Sequence, residues 1–501
     1  MKISLLNDSF PPVIDGVANV VMNYAKIFTE KGEDVLVATP HYPDAKYDEY
    51  PYSVVDYKSY DIKDFVGGYR AGNPFDMSAV EKMTAFKPEI IHTHCPVAST
   101  IMARLLRNEI DVPLIFTYHT KFDVEIARAV KAKFLQAEGA KLLVDNISAC
   151  DEVWTVSNGA GKNLQELGYQ GDYRVVSNGV DFEKGKVDED IVFQVTSKYD
   201  LPDDVPMFLF VGRLMNYKGL PIIINAMSQL SKEGYDFRMV FVGGGSDAES
   251  LKNMAAELDL NVDIKNDDGD IISFSTSDKP GKLIFTGPEH DRTALRAWNT
   301  RAWLFLFPST YDTNGIVVRE AAACGLASVL IKDSCAAEGI TDRVNGYTIE
   351  ETPEAMAALL KELGNNKETV KKAGERAMDE IYISWKDAVY EAYDRYQVLI
   401  DDKKCGKIPP VKKERSDYLL KFTSSLAVAT DKVFNVPRSI KYGMMENMTE
   451  VIEELYDKKN FITGQLQEKK DSLVDHLQKK RNSIGESFKE KSQILRDRIS
   501  G

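Results

Sequence analysis

Apolar positions in this chain gather into short runs separated by longer amphipathic stretches, and that pattern occurs twice. In the first 180 residues the runs Lys2–Leu6, Asp34–Ala38, Ile90–His92, Leu114–Thr117, Glu152–Val156 and Tyr173–Val176 predict strands. The intervening segments have room for crossover helices, as in a parallel sheet. A second series follows Pro206: Met207–Val211, Arg238–Val242, Leu283–Phe285, Trp303–Phe307 and Ser328–Ile331. The expectation is an α/β fold of two successive domains, 1–182 and 183–385, with a boundary near Val180–Gly185. The polar stretch between Ile264 and Gly281 reads as a surface hairpin with Asp268-Gly269 at one turn.

A different period governs the tail. From Ile440 the apolar residues Ile440, Met444, Val451, Leu455, Ile462, Leu466, Leu473, Leu477, Ile484, Phe488, Leu495 and Ile499 alternate spacings of four and seven, an eleven-residue repeat. Lys458, Lys469, Lys480 and Lys491 recur at the same interval along one flank. Such a stripe fits a right-handed coiled coil, giving a homo-oligomer. It also fits a helix in a lipid interface, its lysines reaching anionic headgroups. Lys459, Lys470 and Arg481 at the stripe's edge favour the lipid reading, and Gly464 and Gly485 weaken the helix in water. The membrane partner is therefore assigned to residues 440–499.

Composition sharpens this division. The 501 residues are 44% apolar, enough for full cores, and carry a net charge of −14, which argues against nucleic-acid binding. From Cys405 to Gly501, however, there are 19 Lys+Arg and 14 Asp+Glu, a net of +5, against −19 for the preceding 404 residues. Five cysteines (Cys95, Cys150, Cys324, Cys335, Cys405) form no metal or redox spacing and suit a reducing compartment. The N-terminus reads as a first strand rather than a secretion signal, and no run approaches 18 apolar residues. The expected location is cytoplasmic, peripheral on the inner face of the cell membrane.

Candidate chemistry concentrates in Phe307–Gly325, where an apolar run ends at Pro308-Ser309, a polar loop with Gly315 follows, and an alanine-rich helix carries Glu320. Unpaired N–H groups and the dipole at a helix N-terminus favour an anion. The carboxylates Asp312 and Glu320 can accept from pairs of hydroxyls. Phosphate and hydroxyls bound together describe a sugar nucleotide.

With these loops in place, Met1 to about Ile400 resembles the retaining glycosyltransferases of family 4, of GT-B architecture, in their diacylglycerol glucosyltransferase-like branch. Six motifs in register carry the resemblance: Pro11-Pro12-x-x-Asp15-Gly16-Val17, Thr117-Tyr118-His119-Thr120, Val176-Ser177-Asn178-Gly179-Val180-Asp181, Val211-Gly212-Arg213-Leu214 with Lys218-Gly219, Phe285-Thr286-Gly287, and the Pro308–Gly325 run. It implies two Rossmann-like domains facing a cleft, the first for the acceptor and the second for a nucleotide-sugar donor. A helix over 386–404 would cross back to the first domain, and 405–501 is a helical extension. Transfer would retain anomeric configuration.

By the resemblance, Arg213 and Lys218 stabilise the leaving nucleoside diphosphate, so that no metal or other cofactor is needed; UDP is the expected nucleotide. Gly16 lets backbone approach the diphosphate, and Glu320 accepts the ribose hydroxyls. Gly287 and Glu289 lie against the base, with Gly243-Gly244-Gly245 keeping the floor open nearby. Asn314, Gly315, Ile316 and Val317 offer the donor the helix N-terminus. His119 sits near the transferred sugar, and Asp123 lines the acceptor side. Asp312 departs from the pattern, standing where the family has Glu, and Thr313-Asn314 replaces the usual Gly-Phe.

Overall fold

The computed structural model describes residues 1–62, 69–123, 133–266, 268–274, 278–364 and 366–410. The repeat of 440–499, and with it the assignments of membrane and oligomer to the tail, lies outside the described residues.

The first domain is built on seven parallel strands. They are β1 (Lys2–Leu6), β2 (Asp34–Pro40), β3 (Ser53–Tyr57), β6 (Ile90–Thr93), β7 (Leu114–Tyr118), β8 (Glu152–Thr155) and β9 (Arg174–Val175). A small antiparallel pair, β4 (Ser59–Asp61) and β5 (Arg70–Gly72), lies beside them in sequence. The order β3-β2-β1-β6-β7-β8-β9 places β1 centrally, with Leu5 opposite Val37 on one side and His92 on the other. Strands buried on both faces need apolar residues at nearly every position, so these segments read as continuous runs.

The second domain repeats the plan with β10 (Met207–Val211), β11 (Arg238–Val242), β12 (Asn261–Lys265), β13 (Ile271–Phe274), β14 (Lys282–Gly287), β15 (Leu304–Phe307), β16 (Ser328–Ile331) and β17 (Tyr347–Ile349). The order is β13-β12-β14-β11-β10-β15-β16-β17, parallel except for the β12–β13 hairpin. The expected hairpin is present: Gly269, at φ +89, donates its N–H to the Asn266 carbonyl at its turn. Its first strand also belongs to the main sheet, paired with β14.

In both sheets the strand order reverses beside the first strand of the domain, between β1 and β6 and between β10 and β15. Loops at the carboxyl ends of such strands diverge to opposite faces and leave a crevice, the usual ligand position in open α/β sheets. The crevice loops are Asn7–Asp15 and His94–Val97 in the first domain, and Gly212–Lys218 and Pro308–Gly315 in the second.

The helix Trp385–Lys404 returns to the first domain. Its Trp385, Val389, Ala392, Tyr396, Leu399 and Ile400 join the core of Ile3, Val21, Phe28 and Trp154. Arg395 pairs with Glu152, and the Tyr396 ring stacks on Trp154 at 5.7 Å. Ahead of it the two crossings between domains touch in a single bridge, Val180 to Ser384. A Cβ on Gly179 would lie 2.4 Å from the Trp385 nitrogen, so only glycine permits this junction.

Candidate active site

Two adjoining loops fix the predicted cations. Gly212 (φ +147) and Gly243 (φ +149) need conformations that side chains disfavour. A Cβ on Gly243 would stand 1.9 Å from the Gly212 carbonyl oxygen, and one on Gly245 2.3 Å from that of Leu214. Leu214 also donates its N–H to the Gly244 carbonyl at 2.9 Å. The glycine triplet thus lets a second backbone close against the loop carrying Arg213. Arg213 itself is exposed and makes no ion pair among the described residues.

Lys218 is held differently. Gly219, at φ +76, abuts the Pro308 carbonyl, where a Cβ would come within 2.2 Å. This close approach buries Lys218 at 8% exposure over the Phe307 ring. Its Nζ donates to Asp312 Oδ1 at 2.8 Å and Oδ2 at 3.0 Å. Asp312 Oδ2 also accepts from the buried Ser309 hydroxyl at 2.5 Å. The Asp that departs from the family pattern therefore neutralises the buried lysine, through a pair 94 positions apart in sequence.

Behind this pair the helix Ile316–Ala323 begins at Gly315, whose φ of +61 suits glycine. No side chain caps it. Ile316 and Val317, half-buried, form its first turn. Glu320, one turn on, is buried at 8% exposure. Burial pushes its carboxyl up from the usual range, and the neighbouring Arg292 guanidinium works against that. Arg292 donates to Glu320 Oε1 at 2.5 Å.

The loop before Arg292 is self-braced. Gly287, at φ +77, ends β14 and accepts the Gly243 N–H. The Glu289 carboxylate accepts from the backbone N–H groups of His290 and Asp291, both at 2.9 Å, so it stiffens its own turn.

In the first domain, Asp15 caps the helix Gly16–Glu30 by accepting the Ala18 N–H at 2.7 Å, and its other oxygen accepts from Tyr69. Gly16 is exposed, and a Cβ there would meet nothing within 4 Å; no packing against the described residues demands glycine. His119 is buried at 8% exposure after β7. Its Nε2 lies 3.0 Å from His94 Nδ1, one donating to the other, and the rings stack at 5.3 Å. Desolvation pushes the His119 imidazole down to about 3, so it is neutral and offers one donor and one acceptor. His94 and His92 are buried and held neutral in the same way; His92 bonds Tyr396 and Thr117. Asp123 is exposed.

The two domains meet through the same loops. Thr313 donates its hydroxyl to the His119 carbonyl at 2.6 Å, and Asn314 Nδ2 donates to the Val156 carbonyl at 2.6 Å. Lys121 Nζ donates to the Thr310 carbonyl at 3.0 Å. Farther along, the Glu338 carboxylate accepts the Asn158 and Gly159 N–H groups at the start of the helix Asn158–Glu166. The pair replacing Gly-Phe thus ties the second domain's loop to the ends of β7 and β8.

Sequence reasoning missed Arg292, Thr313's contact and Glu338, which depend on contacts between distant loops. His92 and His94 read from sequence only as a weak His-x-His metal pair; the structure instead places His94 against His119.

Two family models match in tandem, "Glycosyltransferase Family 4" over residues 14–184 and "Glycosyl transferases group 1" over 205–366. Among curated relatives, the alpha-monoglucosyldiacylglycerol synthase of Streptococcus pneumoniae is 23% identical over 332 residues, 65% of this chain and 70% of that protein. The enzyme of the same name from Acholeplasma laidlawii is 22% identical over 371 residues, 72% and 87% of the two chains. Among solved structures, Anabaena Alr3699/HepE in complex with UDP and glucose aligns with a TM-score of 0.59 at 15% identity, covering 79% of this chain and 99% of that one. Sucrose-phosphate synthase from Thermosynechococcus elongatus aligns at 0.60 with 17% identity, over 80% and 99%.

Proposed function

Since the chain belongs to glycosyltransferase family 4 and has the GT-B fold, we propose that it moves a hexose from a UDP-sugar to a lipid acceptor at a membrane surface, retaining anomeric configuration. The observation that carries the donor half is Lys218, a buried cation beside the uncapped N-terminus of Ile316–Ala323, with Glu320 one turn behind. The acceptor half rests on the lipid-glucosylating names of the two relatives and on the basic eleven-residue repeat.

In this reading the diphosphate lies along the Gly315 helix start, with Lys218 and Arg213 on its oxygens and the ribose against Glu320. Negative charge grows on the leaving phosphate as its bond to the anomeric carbon stretches. Two fixed cations then stabilise the transition state more than the ground state, without a metal. The acceptor hydroxyl attacks from the side the phosphate is leaving, and its proton passes to a phosphate oxygen. Neutral His119 orients the sugar by hydrogen bonding, and positioning supplies much of the remainder.

The test is incubation of the full chain with UDP-, ADP- and GDP-sugars and a lipid extract, followed by product masses. A glycolipid formed by the wild type and lost in Lys218→Ala is expected. Nucleotide release with no lipid product, alongside a tail-dependent dimer in sedimentation, would move the acceptor to a soluble sugar.

A further inference from the structure

We propose that Arg292 is a positioning residue for the donor nucleotide, holding the Glu320 carboxylate by one oxygen so that the other is presented to the ribose. This rests on the donor-site reading given above. The geometry is specific. Arg292 is the first residue of the helix Arg292–Arg301, and Asp291 caps that helix by accepting the Thr293 and Ala294 N–H groups. Glu289 braces the preceding turn, so the arginine leaves from a fixed point. Its guanidinium lies 4.5 Å over the Phe182 ring, which limits its swing. From there it reaches Glu320 Oε1 at 2.5 Å and stands 3.7 Å from Asp181.

Oε2 of Glu320 makes no hydrogen bond to a described residue. A carboxylate held at one oxygen keeps its plane, and its free oxygen has lone pairs for two hydroxyls. Arg292 is 46% exposed along its side chain while Glu320 is 10% exposed, so the pair forms one wall of a site open to solvent.

Other charged and titratable groups facing Glu320 work against its ionisation or leave it unaided. Asp181, from the connection between domains, pushes the carboxyl up, as burial does. Cys324, which ends the same helix, has its thiol pushed up by burial, and the Arg296 beside it is engaged elsewhere, donating to the Gly185 carbonyl at 3.1 Å and standing 3.7 Å from Glu183. Arg292 is the cation that keeps Glu320 an acceptor. Without it the carboxyl holds its proton to higher pH, and a protonated acid accepts from hydroxyls poorly.

The experiment is calorimetric titration of the full chain with UDP from pH 5.5 to 8.5, for wild type, Arg292→Ala, Arg292→Lys and Glu320→Gln. Apart from the titration of the phosphate itself, wild-type affinity should change less with pH over that range than that of Arg292→Ala. Arg292→Ala should bind about tenfold more weakly than wild type at the acid end, with the deficit narrowing as pH rises. Arg292→Lys should restore much of the wild-type profile, and Glu320→Gln should be weak at every pH. Arg292→Ala folded, by its melting curve, with the wild-type affinity profile overturns the inference. So does an Arg292→Ala that is equally weak at all pH values, since that is a structural defect. If wild type binds no nucleoside diphosphate, the donor-site reading fails first and this inference with it.

Discussion

On the proposed reading, Lys218 is the residue on which donor chemistry turns. Truncating it to alanine removes a buried cation and leaves Asp312 with Ser309 as its partner among the described residues. Turnover should fall by about 10²–10³, the usual cost of losing one preorganised charge at a developing anion. Steady-state assay on a donor that the wild type uses measures it, and a fall confined to KM would contradict the role. The buried histidines make a second prediction at this scale. His92, His94 and His119 are neutral in the fold, with ionisation pushed below the free value of about 6.5. The unfolded chain binds more protons below that pH, so the stability they contribute is present above pH 6.5 and lost as pH falls towards the folded values. Each can contribute a slope of about 1.4 kcal/mol per pH unit across that window. Melting temperature should fall steeply below pH 6, and less steeply in His94→Gln; parallel acid limbs would refute this.

Among the elements, the glycine contacts decide more than the strands. Gly243→Ala places a methyl 1.9 Å from the Gly212 carbonyl at a backbone angle alanine disfavours. It should cost about 2–4 kcal/mol and displace the Arg213 loop. Denaturant unfolding with UDP binding tests both; unchanged affinity would detach the two loops from each other. The strands themselves were largely legible. Met207–Val211, Arg238–Val242 and Ser328–Ile331 coincide with their apolar runs because both sheet faces are covered. The strands missed, β3, β4, β5 and β17, are short or half-exposed and lie at sheet edges or in a separate small pair, where polar residues intrude and the pattern fades; β12 and β13 were legible only as a surface hairpin. The site divides similarly. Arg213, Lys218 and Glu320 sit in local motifs, whereas the Lys218–Asp312 and Arg292–Glu320 pairs join separate loops and leave no periodic trace.

Across the molecule, closure of the cleft depends on few bonds. Thr313 and Asn314 hold one side, and Glu338 on the helix start at Asn158 holds the other. Anions at helix N-termini contribute about 0.3–1 kcal/mol when exposed. Glu338→Ala should therefore shift the domains towards an open arrangement without unfolding either. Small-angle scattering should show a larger radius of gyration without donor, shrinking when UDP is added. An unchanged radius in both conditions would mean that closure is set elsewhere.

The return of the last described helix to the first domain has a mechanical consequence. Both strands of chain between the lobes run side by side at Val180 and Ser384, and Lys403 then bonds Asp111, with Ile408 packed nearby. The described chain thus begins and ends on the first domain. A load applied at the end of this helix is borne by the first domain, leaving the second free to swing like a jaw on an anchored vice.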